Sequence, residues 1–284
     1  MHLSKSHWSP LLRDEQLLRL AEAMTVRLIM TERADFVSIG EEQTVGEARC
    51  RMGGIYDYLP VFTGDAVVGL INRHDIRSAG GSESVRSFVR SADLVTQVAS
   101  ASLRATINRL IDDEALLIAE DDGSCSGLVH YADLNRQAAR LFLYLWLSAL
   151  EMGLAEVLRR SRLSLEDWLR HLSEHKKVDL LGRFELNRRQ NIDLDPIELV
   201  QLSDLLNVFR HVEGCVKGLG LTNAKFERKT SHLVELRHAA MHPVRAVVRA
   251  HGDVARLAER LADVEEVVGA THRVLRGVAE AQVS

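Results

Sequence analysis

The sequence predicts an α+β first half made of two β-α-β-β-α units, followed by an all-α helical bundle. The main observation is an internal repeat. Residues 37–75 and 95–133 align without a gap, and Gly69 and Asp75 recur as Gly127 and Asp133, 58 residues later. From about residue 135 onward, Gly and Pro become sparse while Leu, Arg, Glu and Ala recur at helical spacing. A chain of 284 residues has room for two such domains.

The composition limits the class of protein. With 46% hydrophobic and 27% charged residues, the chain has a typical globular profile. Its formal net charge of −4 provides no overall positive field for nucleic acid, although a local basic patch would be sufficient. The three cysteines are scattered and form no CxxC pair, which favours a reducing compartment over a disulfide framework or a zinc ribbon.

The amino-terminal segment and the most apolar stretch bear on location. Residues 1–23 are predicted to form a helix without a chemical role, and the chain start lacks the apolar core of a signal peptide. The apolar stretch 141–158 contains Glu151 and Glu156, and its continuous apolar part is shorter than a bilayer crossing requires. We therefore expect a buried helix, for example between subunits, in a cytoplasmic protein without a membrane partner.

Each copy of the repeat has the same order of elements. A short apolar run (DFVSI; DLVTQV) precedes a segment with helical spacing (TVGEARCRMGG; SLRATINRLIDD). Two β-like runs around a turn follow (YLPVF and VVGLIN; ALLIAE and GLVHY), which is typical of a hairpin. A second helix is expected near Asp75 and Asp133, because an aspartate close to a helix start can cap free backbone N–H groups.

These phrases resemble a CBS domain pair. The resemblance covers residues 24–138, with the first unit at 24–78 and the second at 82–138. It implies two units side by side that bind an adenosine-containing ligand in the clefts between them. The ligands implied are adenine nucleotides or a relative: AMP, ATP or S-adenosylmethionine.

The family's ribose and phosphate motif is a glycine, two apolar residues, Thr or Ser, two more residues and Asp. It reads GLINRHD at 69–75 and GLVHYAD at 127–133. The resemblance implies that Asp75 and Asp133 accept hydrogen bonds from ribose hydroxyls. The hydroxyl position departs from the pattern in both copies, being Asn72 and His130, although both side chains can still donate to a phosphate. The alternative is that the two aspartates only cap their helices.

The second half, residues 139–284, is predicted to be a helical bundle. Because the helix around 135–160 joins it to the first half without a flexible linker, we expect a change in one domain to bias the other. Residues 214–223 form the expected loop. The predicted helices are 135–160, 164–175, 177–190, 196–217, 223–250 and 252–278.

Residues 236–245, LRHAAMHPVR, differ from the surrounding amphipathic pattern. His238 and His242 share a helical face, whereas Arg237 and His242 are about 140° apart at ~100° per residue. One helix therefore cannot join them, but two copies packed across a symmetry axis can bring two arginines and two histidines into one cleft. Pro243 predicts a kink or a helix end at His242.

The segment resembles the signature of HEPN domains: Arg, a polar residue, three further residues, then His, within an all-α bundle. The resemblance covers roughly residues 141–278 and implies a dimeric, metal-independent endoribonuclease. In that role His242 moves a proton to or from the ribose and leaving oxygens, Arg237 stabilises charge on the phosphate, and His238 orients the other groups. The implied product carries a 2′,3′-cyclic phosphate.

Other interpretations of the same residues stay open. Arg237 can pair with a carboxylate such as Glu235 or one on another helix, and the histidines can lie at an ordinary interface. Glu235, His238 and His242 also have the spacing of a zinc site, but no HExxH motif is present and no metal is expected. Basic residues at 159–162 and 183–191 are either RNA contacts or a solvated face.

The sequence therefore favours a nucleotide-sensing CBS module that regulates a HEPN-like domain acting on RNA. We expect a homodimer that forms through both the CBS pair and the bundle. The alternative function is a regulatory protein without catalysis, which binds an adenine nucleotide, dimerises, and recruits a partner or RNA.

Overall fold

The computed structural model describes residues 10–161, 164–192 and 194–283, so residues 1–9 of the predicted amino-terminal helix lie outside the described residues. The chain divides into two compact units. The repeat unit comprises Glu22–Phe142 together with Ala246–Ala258. The helical unit comprises Leu143–Arg245 with the described residues of 10–21 and 259–283. The units are therefore discontinuous in the chain.

The repeat unit contains eight short strands and three α-helices among its described residues, and helix α1 (Pro10–Ala23) precedes most of it. The core of its first repeat is built from Ile39, Val45, Met52, Leu59 and Ile71. The elements are β1 (Thr31–Glu32), β2 (Ile39–Gly40), α2 (Val45–Met52), β3 (Tyr58–Thr63), β4 (Ala66–Asn72), β5 (Arg90–Ser91), α3 (Ala92–Val95), β6 (Thr96–Val98), α4 (Leu103–Arg109), β7 (Ala115–Ala119) and β8 (Cys125–His130).

The strands form two four-stranded sheets that exchange edge strands. One sheet has the order β2-β3-β4-β5, and the other has the order β1-β8-β7-β6. In each, a parallel pair (β2 with β3, β6 with β7) is extended by an antiparallel hairpin. Strand β1 lies before the first repeat but pairs with β8 of the second, and β5 lies before the second repeat but pairs with β4 of the first. The exchange interlocks the two repeats.

The repeated glycines lie where the exchanged strands make close contact. A Cβ atom on Gly69 would overlap the carbonyl oxygen of Arg90 in β5. A Cβ atom on Gly127 would lie 2.7 Å from Met30 Sδ and 2.9 Å from the Thr31 carbonyl oxygen. Glycine is required at both positions because the neighbouring backbone leaves no space for a side chain.

The predicted β-α-β-β order is confirmed in both copies, but the second helix of the first repeat is not formed. Residues 73–78 are turns. The guanidinium of Arg49 donates to the carbonyl oxygens of Ile76, Arg77 and Ala79, which satisfies acceptors that a continued helix would otherwise use. In the second repeat a 3-10 helix (Tyr131–Asn135) leads directly into a long α-helix.

The second half is helical, as predicted, but several predicted helices are shorter. The predicted helix at 164–175 ends at Leu169, the next helix begins at Glu174, and Gly214, with φ 84°, interrupts the predicted helix at 196–217. The helices are α5 (Gln137–Arg160), α6 (Leu165–Leu169), α7 (Glu174–Arg189), α8 (Leu202–His211), α9 (Cys215–Gly218), α10 (Asn223–Thr230), α11 (Leu233–Met241) and α12 (Gly252–Val283), with a 3-10 helix at Pro196–Leu199.

Two predictions near the bundle's loops were wrong. The expected loop at 214–223 contains α9, and the expected helix at 223–250 ends at Met241 because Pro243 cannot continue it. This helix end confirms the predicted break at His242. The division between the units falls inside α1, α5 and α12.

Helix α5 is long and apolar enough to cross a membrane when judged by length and composition alone. Its 24 residues make it longer than the apolar run considered above, and the most apolar window has a mean hydropathy of 1.6. Inside the structure 67% of that window is buried. This burial is typical of a core helix, and the cytoplasmic location stays a prediction.

Candidate functional site

A cavity of about 760 Å³ lies beside the turn that follows β4, and we call it the first cleft. Small-molecule sites usually enclose roughly 300–1,000 Å³. The cleft combines residues of the first repeat with Glu114 of the second. Its lining residues are Arg49, Asp57, Asn72, Arg73, His74, Asp75, Arg77 and Glu114.

Asn72 is held in the first cleft by a short hydrogen-bond network. Its Nδ2 donates to the Tyr58 hydroxyl at 2.6 Å, and that hydroxyl donates to Glu114 Oε2 at 2.6 Å. Asn72 Oδ1 accepts from the backbone N–H of His74 at 2.7 Å. Burial and the Glu114 carboxylate raise the pKa of Tyr58, so the hydroxyl keeps its proton. One amide hydrogen of Asn72 is left for a ligand.

The charged residues of the first cleft divide into two groups. Arg49 and Arg73 hold the protein itself: Arg49 donates to the turn carbonyls, and Arg73 donates to the Tyr56 carbonyl at 3.1 Å. His74, Asp75 and Arg77 lie on the turn and are exposed. The Asp75 carboxylate is 58% exposed and lies 3.8 Å from His74 Nδ1, so it is accessible to a ligand hydroxyl.

The second motif has different surroundings. His130 Nδ1 accepts from the Ala132 N–H at 3.3 Å, and the His130 ring lies 4.1 Å from the Tyr131 ring. The carboxylate of Asp133 accepts from the His130 N–H at 2.8 Å and pairs with Arg136 Nε at 2.8 Å. Burial lowers the pKa of His130 and raises the pKa of Asp133.

The two aspartates of the repeat therefore differ in use. Asp133 caps the 3-10 helix, which is the capping alternative considered above. In the first repeat it is Asn72 that accepts a backbone hydrogen bond, from the His74 N–H, and Asp75 lines the first cleft. Neither His130 nor Asp133 lines that cleft. The ligand-binding roles of all four residues stay predictions.

Three residues of the first cleft and its hydrogen-bond network were not predicted from the sequence: Tyr58, Glu114 and Arg77. Arg77 stands two residues after Asp75, so its neighbourhood in the chain was a usable signal. Tyr58 and Glu114 are 56 residues apart and meet only through the packing of the two repeats, which no local pattern records.

In the helical unit, Arg237 pairs with Glu151 of α5 at 3.4 Å. This is the interpretation in which the arginine meets a carboxylate on another helix. Burial raises the pKa of Glu151. His238 and His242 are exposed, and their ring centroids are 5.8 Å apart in an edge-to-face arrangement. The three residues thus lie at the end of α11, with both histidines accessible to solvent.

The zinc interpretation is not supported. Within the described ranges, no three His, Cys, Asp or Glu side chains are grouped to hold a metal ion. Glu235 instead pairs with Arg260 at 3.2 Å.

The arginines of the basic stretches that the structure describes pair with nearby carboxylates, whereas Arg162 lies outside the described residues. Arg159 and Arg160 both bind Glu156, at 2.5 Å and 2.7 Å. Arg188 and Arg189 both bind Glu185, at 2.9 Å and 3.1 Å. Arginines in such pairs favour a solvated face over an RNA-binding patch.

Comparison with known proteins gives a match for part of the chain. No curated protein matches. Similar solved structures include the CBS domain of a bacterial CNNM/CorC family Mg²⁺ transporter in complex with ATP. The sequence identity is 18%, the match covers 47% of this chain and 97% of that chain, and the TM-score is 0.38. A CBS domain-containing protein from Bacillus anthracis str. Ames Ancestor has 15% identity over 41% of this chain and 94% of that chain, with a TM-score of 0.39.

A third similar structure is CBSX2 in complex with AMP, with 18% identity, 42% of this chain and 98% of that chain covered, and a TM-score of 0.37. The family model of the CBS domain matches residues 26–82. These residues contain the first repeat, with its core, its hairpin and the turn of the first cleft. The first repeat is therefore a CBS domain.

Proposed function

We propose that this protein is a sensor of an adenine nucleotide, which binds in the first cleft. The observation that carries the proposal is the placement of Asn72, His74, Asp75 and Arg77 around one cavity of about 760 Å³ in a CBS domain. The CBS family resemblance associates this position with adenosine-containing ligands.

The exposed residues of the turn match the two polar parts of a nucleotide. The Asp75 carboxylate is an acceptor for ribose hydroxyls, which are donors. Arg77 is always charged and presents several N–H donors to phosphate oxygens. The remaining amide hydrogen of Asn72 and the His74 ring add neutral donors beside it.

The inner wall suits the base. A narrower recess of about 60 Å³ shares Asn72, Asp75 and Glu114 with the first cleft and is backed by Leu70, Val95 and Ala115. Tyr58 and Arg90 also line the recess, so it combines apolar and polar groups as small-molecule sites do.

Titration calorimetry with ATP, AMP and S-adenosylmethionine tests the proposal. We expect at least one of them to bind, and Asp75→Asn to weaken that binding by about tenfold or more, since a hydrogen bond to a charged group is lost. Asp65→Asn is the matched control, because Asp65 is exposed on the β3–β4 turn and does not line the first cleft. Absence of binding for all three ligands would sink the proposal.

A second candidate function concerns the helical unit. We propose that the bundle forms a homodimer and cleaves RNA without a metal, as the HEPN resemblance implies. The supporting observation is the exposed His238–His242 pair at the end of α11, next in sequence to the half-buried Arg237. In a dimer, His242 would exchange the proton of a ribose hydroxyl while Arg237 neutralises the phosphate.

Incubation of a mixed RNA pool with the purified protein in excess EDTA tests this second function. The expected result is cleavage to 2′,3′-cyclic phosphate ends that is lost in His242→Ala and retained in His175→Ala, an exposed histidine of α7. If wild-type protein leaves the RNA intact with and without nucleotide, the non-catalytic regulatory function is the better account.

A further inference from the structure

The 58-residue repeat identifies the surface of the second repeat that corresponds to the first cleft. Arg73 and Arg77, which line the first cleft, correspond to Tyr131 and Asn135. Met52, whose carbonyl accepts from Arg73 at 3.2 Å, corresponds to Leu110. We call the surface formed by Leu110, Tyr131 and Asn135 the second cleft.

The second cleft is in contact with a distant part of the same compact unit. Asn135 Oδ1 accepts from the backbone N–H of Val247 at 2.7 Å and of Val248 at 3.3 Å, and Asn135 Nδ2 donates to the Val248 carbonyl at 2.8 Å. One side chain therefore satisfies three backbone groups of an irregular segment, and Val248 is only 2% exposed.

His251 contacts the rest of the second cleft. Its Nε2 donates to the Leu110 carbonyl at 2.8 Å, and its ring centroid lies 5.8 Å from that of Tyr131. The His251 imidazole thus binds the Leu110 carbonyl. The corresponding carbonyl in the first repeat is that of Met52, which accepts from Arg73. The Nδ1 atom of His251 lies 3.8 Å from Glu114 Oε1, the carboxylate that also lines the first cleft.

We propose that residues 246–251 are the built-in occupant of the second cleft, so that the protein binds one nucleotide per chain, at the first cleft. The stoichiometry rests on the proposed nucleotide function, whereas the occupancy of the second cleft does not. The charges agree with this assignment, because the exposed Arg77 of the first cleft is replaced by the uncharged Asn135.

Amide hydrogen exchange of the full-length protein without ligand tests the occupancy. Val247 and Val248 should exchange slowly in the wild type and about tenfold or more faster in Asn135→Ala, because their acceptor is removed. Arg77→Ala is the matched control at the equivalent position of the first repeat and should leave both amides unchanged. His251→Ala, which removes the Leu110 contact, is a second variant for the case that Asn135→Ala does not fold.

Titration calorimetry with ATP and AMP gives the complementary result. One nucleotide should bind per wild-type chain. Arg77→Ala should reduce the affinity for the nucleotide about tenfold or more. Asn135→Ala should leave the affinity of the first cleft for the nucleotide unchanged. Fast exchange of Val247 and Val248 in the wild type, or two nucleotides bound per chain, would overturn the inference. Slow exchange without any nucleotide binding would leave the occupancy standing and remove only the proposed nucleotide function.

Discussion

The two repeats of the repeat unit share the β-α-β-β order of elements but have very different side chains around their clefts. Helices α2 and α4 start 58 residues apart, and strands β3 and β4 recur as β7 and β8 with ends that shift by no more than two residues. Around the clefts, however, Asn72, Arg73 and Arg77 are replaced by His130, Tyr131 and Asn135. The comparison shows that glycines, caps and core residues maintain the fold, while a few exposed positions determine what each cleft can bind.

The largest expected difference between the repeats is at the repeated glycine. Gly69→Ala should destabilise the protein by ~3–5 kcal/mol, because the new Cβ overlaps the Arg90 backbone and β5 must move. Gly127→Ala should cost only ~1–3 kcal/mol, since the closest atom belongs to the flexible Met30 side chain and the nearest backbone atom, the Thr31 carbonyl oxygen, lies 2.9 Å from the new Cβ. Urea unfolding of both variants measures the difference. Equal losses would show that the two exchanged strands are held equally tightly.

A smaller difference in stability is expected at acid pH from His130, the residue of the second repeat that corresponds to Asn72. Burial lowers the pKa of His130, so below its ordinary value of about 6.5 the unfolded chain binds the proton more readily. The contribution of the neutral His130 ring to the free energy of unfolding is complete above this ordinary value. It is lost as the pH falls through the lower pKa of the folded state.

His130→Asn, which introduces the residue found at this position in the first repeat, should therefore lose less unfolding free energy than the wild type as the pH falls from about 7.5 to about 5.5. The urea midpoints of both proteins at the two pH values provide the measurement. His171, His232 and His272 also have lowered pKa values, but they are common to both proteins and cancel in the difference. Identical pH dependence would show that His130 does not contribute.

The smallest expected effect concerns helix caps. Thr44 and Glu47 form a reciprocal capping box at α2, with the Thr44 N–H donating to Glu47 Oε2 at 2.8 Å. At α4 only Ser102 caps, because Ala105 stands where the first repeat has Glu47. Ala105→Glu should complete a box and stabilise the protein by ~0.5 kcal/mol, with Ser100→Glu, at an exposed position just before α4, as the control of equal charge change. The thermal unfolding midpoints of the two variants test this prediction. Equal shifts of both midpoints would show that the added negative charge, and not the capping box, stabilises the protein.

The sequence predicted the repeat, both hairpins and the helical second half, because each depends on local periodicity and on residues that recur at a fixed spacing. The break at His242 was predictable from Pro243 alone. The missing second helix of the first repeat was not, because it depends on Arg49 binding carbonyls 27 to 30 residues away. Tyr58, Glu114 and the segment at 246–251 were missed for the same reason: their contacts join distant parts of the chain.

The strand exchange has a consequence for synthesis of the protein on the ribosome. The sheet of the first repeat has all its strands once β5 has been made, at Ser91. Strand β1 must wait for β8, since Thr31 pairs with Leu128, about a hundred residues later. Until β8 has been made, a nascent chain therefore contains one sheet with all its strands and the unpaired strand β1. A product terminated between β5 and β8 leaves that strand exposed to aggregation or to proteases.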